Sequence, residues 1–277
     1  MWFDSSLGTV FYEVHESDAD AHTDARSTPG EFTIVLVHGG AMDHCTFAAQ
    51  IDALRPFYRV VCMDLPGHGQ SDPVDPKVPF TGRAAQVITE LLDELGLNRV
   101  VLVGQSIGST LCQRVAARSP VRVIGSVHLG GAPLYPRFNP LARLFTPFIA
   151  TGIALCPREP LYTLFAARKA LRRHTREYLR ASAARAGKPL ILRLTLDMLR
   201  EMTAGMPRRL EHPMLICHGE HESSFLKRRA RTWHRAQPGS VLAVIKDAHH
   251  IANQDNPSAF NRELLTFLRS IDPHRSP

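Results

Sequence analysis

The sequence predicts an α/β fold with a mostly parallel, twisted sheet of about eight strands and helices on both faces. Short apolar runs alternate with helical patterns along most of the chain, the order expected when helices connect parallel strands. The predicted strands are apolar on both faces, as in sheets covered on both sides. The alternation stops between residues 133 and 212, where the patterns are helical. We therefore expect residues 1–132 and 213–277 to form an α/β core and residues 133–212 to form a helical insert.

The individual elements follow from local patterns. The predicted strands are runs rich in β-branched and aromatic residues. They are Trp2–Phe3, Thr9–Val14, Phe32–Val37, Arg59–Met63, Arg99–Val103, Val123–Leu129, Pro213–Cys217 and Val241–Ile245. The predicted helices repeat apolar residues at helical spacing. They are Phe47–Leu54, Thr81–Leu95, Ile107–Arg118, Phe145–Leu155, Leu161–Arg185, Pro189–Met206 and Pro257–Ser270. The polar, aperiodic stretch Glu16–Gly30 predicts a long surface loop.

The charge distribution is uneven. The chain carries 33 Lys and Arg against 26 Asp and Glu, a net charge of +7. The segment from Pro157 to Leu210 contains thirteen of the basic residues and only four acidic ones. A basic patch can bind nucleic acid, but no recognition motif accompanies this one, so we expect no nucleic-acid partner. We interpret it as a solvated outer face of helices, with an entrance that attracts acidic substrates as the alternative.

Composition also predicts the compartment. No apolar run reaches the length of about 18 residues that a membrane span needs, so none is expected. The N-terminal residues Met1–Ser5 lack the basic and apolar regions of a secretory signal. The five cysteines are an odd number, and Cys62 and Cys217 lie in apolar strands, which favours a reduced, cytoplasmic protein. No histidine grouping typical of a metal site occurs, so we expect neither metal nor cofactor.

One turn organises the chain. Gly104-Gln105-Ser106-Ile107-Gly108 follows an apolar strand and opens a helix, which predicts a sharp turn with the serine at its apex. The two glycines let strand and helix pass close together. The amide of Ile107, at the start of the helix, would point to a carbonyl oxygen that becomes negative.

A nucleophilic serine needs a base, and the base needs an acid that fixes its tautomer. His250 follows the last predicted strand, at a carboxyl edge of the sheet, just before the final helix. The loop after the preceding strand, His218-Gly219-Glu220-His221-Glu222, offers two carboxylates as the acid. His249 is a competing base at the neighbouring position.

From Phe32 onward, the chain resembles the α/β-hydrolase superfamily, specifically its capped serine hydrolases. Four motifs in order carry the resemblance. They are His38-Gly39-Gly40, Asp64-Leu65-Pro66-Gly67-His68-Gly69-Gln70-Ser71, the Gly-x-Ser-x-Gly turn and His250, seven residues before Pro257. The resemblance implies that the insert is a cap, or lid.

The resemblance also implies the roles of single residues. It maps the triad to Ser106, Glu222 and His250, with Glu220 as the competing acid. Aspartate is the usual acid in capped members, and glutamate adds one methylene of reach. The second oxyanion donor maps to Gly40, with Ala41 as the alternative.

Three residues, Ala41, Gln105 and His249, are expected beside the substrate. Apolar residues of the insert would either line an acyl pocket or pack the cap onto the core. They are Leu144, Phe145, Phe148, Leu161, Tyr162, Leu164 and Phe165.

These assignments predict a serine hydrolase that cleaves a small-molecule carboxylic ester or lactone through an acyl-enzyme, without a cofactor. A C–C bond hydrolase, a perhydrolase or an acyltransferase would use the same triad. An alternative of another class is a non-catalytic ligand-binding protein with the same fold. Cys45 lies near the predicted site but has no base at a recognisable position, so we interpret it as a loop thiol. The sequence leaves the oligomeric state open.

Overall fold

The computed structural model describes residues 1–18, 32–75 and 78–272. Within these ranges, eight strands form one sheet. They are β1 (Trp2–Ser5), β2 (Gly8–His15), β3 (Thr33–Val37), β4 (Val60–Met63), β5 (Val100–Gln105), β6 (Val123–Leu129), β7 (Met214–Gly219) and β8 (Ser240–Ile245). The spatial order is β1-β2-β4-β3-β5-β6-β7-β8. The predicted fold class is confirmed, while most of the predicted loop Glu16–Gly30 lies outside the described residues.

The sheet is antiparallel at one edge and parallel elsewhere. Strand β1 pairs with β2, and β2 pairs with β4, in antiparallel directions. From β4 to β8 all pairs are parallel. Every residue of β3, β4 and β5 is buried, which explains why these strands are apolar on both faces.

Helices cover both faces of the sheet. The helices outside the insert are α1 (Ala48–Leu54), α2 (Phe80–Glu94), α3 (Ile107–Arg118), α7 (Ser224–Ala236), α8 (Ala252–Asp255) and α9 (Pro257–Ile271). One apolar layer joins the sheet to α2, α3 and α7 through residues such as Leu91, Leu111 and Trp233. The other layer joins it to α1 and α9 through Leu54 and Phe260.

Sequence analysis missed helix α7. Its sequence is dominated by charged residues, and Ala230 and Trp233 are its buried positions. The helix begins where the Ser223 side chain accepts a hydrogen bond from the amide of Leu226. A serine cap and so narrow an apolar stripe are a weak signal of a helix in the sequence.

Between β6 and β7 the described residues form helices α4 (Thr146–Leu155), α5 (Arg158–Ala167) and α6 (Arg173–Ala204). Helix α6 is broken at Gly187, whose φ is 77°, which agrees with the predicted break before Pro189. The prediction of one continuous helix over Leu161–Arg185 is wrong. The amides of Leu171 and Arg172 donate to the carboxylate of Asp255 instead of continuing a helix.

No single helix of the described ranges is long and apolar enough to cross a membrane. The bent pair Pro140–Leu155 and Arg158–Ala167, inclined at 117°, reaches the required length and composition when both members are counted together.

Two glycines let α3 approach the sheet. A Cβ on Gly104 would lie 2.6 Å from the carbonyl oxygen of Gly108, and a Cβ on Gly108 would overlap the carbonyl oxygen of Val37. The positions allow no larger residue because backbone atoms cannot move aside. Gly82, in α2, has no atom within 4 Å of the place that a Cβ would take.

We therefore predict opposite effects of two alanine substitutions on stability. Gly108→Ala should lower the free energy of unfolding by about 1–3 kcal/mol, because the methyl group forces the backbones of α3 and β3 apart. Gly82→Ala should raise it by about 0.5–1 kcal/mol, because alanine is the better helix former. Urea denaturation of both variants measures the difference. Equal stability of Gly108→Ala and the wild type would contradict the close approach.

Candidate active site

Ser106 lies at the apex of the turn between β5 and α3, as predicted. Its φ of 53° and ψ of −115° are unusual for a residue with a side chain and cost on the order of 1–3 kcal/mol. The Ser106 amide donates a 2.8 Å hydrogen bond to the carbonyl of Leu129, the last residue of β6. This hydrogen bond to the sheet thus stabilises a backbone conformation that would be unfavourable in an isolated peptide.

His250 joins the serine to an acid. Its Nε2 lies 3.0 Å from Ser106 Oγ, and its Nδ1 lies 2.5 Å from Glu222 Oε2. Because an ionised carboxylate can only accept, Nδ1 carries the proton and donates to Glu222. Nε2 is then free to accept from the serine hydroxyl. All three side chains are buried.

The acid is held as an anion. Burial acts to raise the pKa of Glu222, but the charge and hydrogen bond of His250, together with the amide of Ser223, lower that pKa to about 2. The Ser223 amide donates to Glu222 Oε1 at 2.7 Å. A deprotonated Glu222 therefore faces His250 at every pH at which the protein would work.

Glu220 lies elsewhere. Its carboxylate accepts from Lys246 Nζ at 3.0 Å and from the Asp247 amide at 3.2 Å, at the protein surface. The competing acid therefore braces the turn after β8 and does not contact His250.

The pKa of His250 is lowered from its ordinary value of 6.5. Burial is the largest cause, the positive charge of Lys169 adds to it, and the charge and hydrogen bond of Glu222 oppose it. His249 has a smaller effect in the lowering direction. The imidazole is consequently neutral at pH 7, the state in which it can accept a proton.

The predicted oxyanion donors face the same cavity as the serine. Gly40, Ala41 and Ile107 line it together with Ser106. The register of the sheet explains this, because Val37, the last residue of β3, pairs with Gly104 next to the turn. Within the described residues, neither the Gly40 nor the Ile107 amide has a hydrogen-bond acceptor, so both can serve an incoming oxygen.

Two predicted substrate contacts are not placed at the cavity. Gln105 is fully buried beneath it, where its Nε2 lies 3.4 Å from the carbonyl of His250. His249 accepts from the amide of His250 at 2.8 Å and does not contact Ser106. Of the three predicted contacts, Ala41 lines the cavity.

Asp255 is a positioning residue that sequence analysis missed. Its carboxylate accepts from the amide of His249 at 2.9 Å and from Leu171 and Arg172 at 2.8 and 2.9 Å. It therefore ties the loop that carries His250 to the turn between α5 and α6. Its sequence neighbours give no signal of this, since Leu171 and Arg172 lie 84 and 83 residues away.

The cavity at Ser106 is small, about 80 Å³, and mainly apolar. Its remaining lining residues come from the loop after β3, from the turn after His250 and from the helical insert. They are Met42, Ile251, Phe165, Lys169, Leu179, Ile191, Leu194, Thr195 and Met198. Sequence analysis missed Lys169 and all the residues of α6.

Of the insert residues expected at an acyl pocket, Phe165 lines the cavity. Leu161 and Tyr162 pack instead in an apolar cluster with Ala41. The other members of the set are exposed, so neither expected role applies to them. They are Leu144, Phe145, Phe148 and Leu164. The sequence shows that these residues are apolar but not which side of the insert meets the core.

Cys45 is not an activated nucleophile. Its Sγ lies 3.5 Å from His44 Nε2, but burial and the carboxylates of Asp43, Asp64 and Glu13 raise its pKa to about 11. The thiol is therefore protonated at neutral pH.

Two groups of side chains in the described ranges bring together atoms of the kind that bind metals. They are Glu13, His15 and Cys62, and Glu220, His221 and Asp247. Neither group includes a residue that lines the cavity at Ser106.

Comparison with known proteins decides the family. Residues 34–263 match the profile of the Alpha/beta hydrolase family, which is most of the chain. The chain belongs to this family. The predicted superfamily and the expectation of an enzyme with this hydrolase fold are thereby confirmed.

Individual relatives of this hydrolase differ in reaction. It is 29% identical to a 2-hydroxy-6-oxononadienedioate/2-hydroxy-6-oxononatrienedioate hydrolase of Pseudomonas putida over 87% of this chain and 88% of that protein. A hydrolase of the same name from Klebsiella pneumoniae is 27% identical over 86% and 88%. In structure, a thermophilic esterase from Thermogutta terrifontis aligns with a TM-score of 0.80 at 21% identity, over 98% of both chains. This structural likeness shows the fold alone.

The first prediction from the site distinguishes the two carboxylates of the β7–α7 loop. In Glu222→Gln the ester turnover number should fall about 10³- to 10⁴-fold, because an amide neither fixes the His250 tautomer nor stabilises its cation. Glu220→Gln is the matched control and should stay within about 3-fold of the wild type. Steady-state hydrolysis of 4-nitrophenyl acetate measures both. A larger loss in Glu220→Gln would reverse the assignment.

The second prediction concerns pH. A neutral His250 is needed to accept a proton, so activity is lost as the pH falls through its pKa. Because that pKa is lowered, the midpoint of the acid limb of kcat/KM should lie below pH 6.5. Glu222, Lys169 and His249 are the charged or titratable groups that act on His250, and Lys169→Met should move the midpoint upward. A midpoint above pH 6.5 in the wild type would contradict this electrostatic arrangement.

Proposed function

We propose that this hydrolase cleaves a carboxylic ester or lactone through an acyl-enzyme formed on Ser106. The observation that carries the proposal is the chain of two hydrogen bonds from Ser106 through His250 to Glu222, beside a cavity of small-molecule size. Ligand binding alone does not require this proton-transfer arrangement, whereas a nucleophilic serine does.

The reaction begins when Ser106 Oγ attacks the carbonyl carbon and its proton passes to His250 Nε2. Glu222 stabilises the resulting imidazolium. The amides of Gly40 and Ile107 hold the negative oxygen of the tetrahedral intermediate, and each such donor is worth about 10²- to 10³-fold in rate. His250 then gives the proton to the leaving alcohol. A water molecule, deprotonated by His250, releases the acid and restores the serine.

The insert of residues 133–212 acts as the cap in this proposal, over a core of residues 1–132 and 213–277. Support comes from the cavity, one wall of which consists of Phe165 and residues of α6. A cavity of about 80 Å³ suits a short acyl group. A cytoplasmic location and a small-molecule substrate stay predictions of the same kind.

A second candidate function is hydrolysis of a C–C bond beside a carbonyl group. The observation in its favour is the similarity to the two hydrolases of Pseudomonas putida and Klebsiella pneumoniae. The same triad serves both reactions, so the substrate decides between them. Turnover of 2-hydroxy-6-oxononadienedioate at a higher kcat/KM than any simple ester would favour the second candidate.

The proposal predicts a serine that reacts with a fluorophosphonate probe. Wild-type protein should be labelled and should hydrolyse 4-nitrophenyl acetate, whereas Ser106→Ala should do neither at a measurable rate. Hydrolysis by the variant should fall to the level of the oxyanion hole alone, about 10³-fold or more below the wild type.

Cys45→Ala is the matched control, because it removes the other nucleophilic side chain near the site. It should keep both labelling and turnover. A folded wild-type protein that takes no label and cleaves no ester would refute the proposed function and favour the ligand-binding alternative.

A further inference from the structure

The cavity beside Ser106 is lined by one basic side chain that the proposed mechanism does not use. Lys169 lies in the turn between α5 and α6 and lines the cavity together with Ser106 and His250. The other residues that line this cavity are apolar or neutral, and no aspartate or glutamate is among them. A mainly apolar cavity with one cation is electrostatically suited to a ligand that carries a negative group.

The ammonium group of Lys169 has no counter-ion in direct contact. Within the ranges that the structure describes, its Nζ forms neither a hydrogen bond nor an ion pair. Burial lowers the pKa of Lys169, and the charge of Glu222 opposes this at a distance. Within the described residues the Glu222 carboxylate accepts from His250 and from the Ser223 amide, and it forms no hydrogen bond with the Lys169 ammonium.

The backbone that carries this ammonium is fixed. The Lys169 carbonyl accepts a 3.1 Å hydrogen bond from the amide of Ile251, the residue after His250. Two residues further along, the amides of Leu171 and Arg172 donate to Asp255. The side chain stacks near Phe165, whose ring centroid is 5.3 Å from Nζ. The backbone that carries the cation is therefore held beside the reacting groups before any substrate binds, which reduces the entropy cost of binding.

Several other cations of the insert are engaged by protein groups. Arg185 pairs with Asp43 at 2.8 Å, and Arg180 pairs with Glu159 at 2.5 Å. Lys188 donates to the carbonyl of Cys156 at 2.8 Å. Among the described residues that line the cavity, Lys169 is the one lysine or arginine. The excess positive charge of the insert attracts anions toward it.

We propose that Lys169 binds a carboxylate of the substrate, so that the preferred substrates are esters or lactones that carry a second, ionised carboxyl group. The inference rests on the proposed function and names its substrate class. The carboxylate replaces the missing counter-ion, and its bond to Nζ orients the ester carbonyl toward Ser106. The small cavity requires that few bonds separate the two groups.

Two matched pairs of esters test the proposal, since the carboxylate can lie on either side of the scissile bond. The 4-nitrophenyl monoester of adipic acid is compared with 4-nitrophenyl hexanoate, which has the same acyl chain without the charge. A butanoyl ester of 5-hydroxy-2-nitrobenzoate is compared with 4-nitrophenyl butanoate, which places the charge on the leaving group. The readout is the ratio of kcat/KM for the anionic ester to that for the neutral ester.

In at least one pair the wild-type ratio should exceed one, and Lys169→Met should lower it about 10- to 100-fold, because a charge-assisted hydrogen bond is lost. Lys169→Arg should restore most of it. Arg168→Met removes a neighbouring exposed charge and should leave the ratio within about 2-fold. A wild-type preference for the neutral ester in both pairs, or an equal fall for both esters in Lys169→Met, would overturn the proposal.

A binding measurement separates this proposal from the proposed function. Calorimetry with adipate on Ser106→Ala should give a dissociation constant at least 10-fold lower than on the Ser106→Ala, Lys169→Met double variant. If the wild-type protein shows no ester turnover while this binding still depends on Lys169, the hydrolytic mechanism is refuted and the carboxylate site is retained. Equal binding by the two variants would refute the carboxylate site.

Discussion

The backbone strain at Ser106 is the constraint on which the rest of the site depends. A φ of 53° places the hydroxyl clear of the sheet, and only the packing around it keeps the residue there. The parallel register that aligns Val37 with Gly104 supplies that packing, because α3 can then rest directly on β3. The packing of the sheet thus fixes the position of the Ser106 hydroxyl oxygen.

The electrostatics of the site form one coupled system. Glu222 and His250 are buried, and Lys169 lines the same cavity, so the charge of each group acts on the others. Glu222 favours a protonated His250, and Lys169 disfavours it. In the proposed mechanism the pKa of His250 is set by these two opposing charges. An anion bound at Lys169 would weaken the effect of Lys169 on that pKa.

The fold was largely predictable from the sequence because it depends on patterns that span only a few residues. Apolar strands, the glycine-flanked serine and the order of Ser106, the acid loop and His250 are all local signals. The resemblance assigns the acid to Glu222, but the residues alone do not separate it from Glu220, since the two carboxylates are two residues apart in one loop and differ in the direction of their side chains. Lys169 could not be found because its importance comes from what surrounds it: a cavity without acids and a turn held by a distant Asp255. The helix is broken at residues 168–172 for a similar reason. Two of the amides there donate to the distant Asp255 instead of to carbonyls of the preceding helical turn.

The bonds of Asp255 have a consequence for how this enzyme can diversify. One carboxylate holds both the loop of the candidate base and the turn that begins α6. The insert is therefore not an interchangeable cassette. A recombinant that received its insert from another member of the family would misplace His250 unless the new turn presented two backbone amides at the same position. In this chain, substitutions along α6 can change the substrate range. Substitutions at the turn before α6 are restricted because that turn helps to position His250.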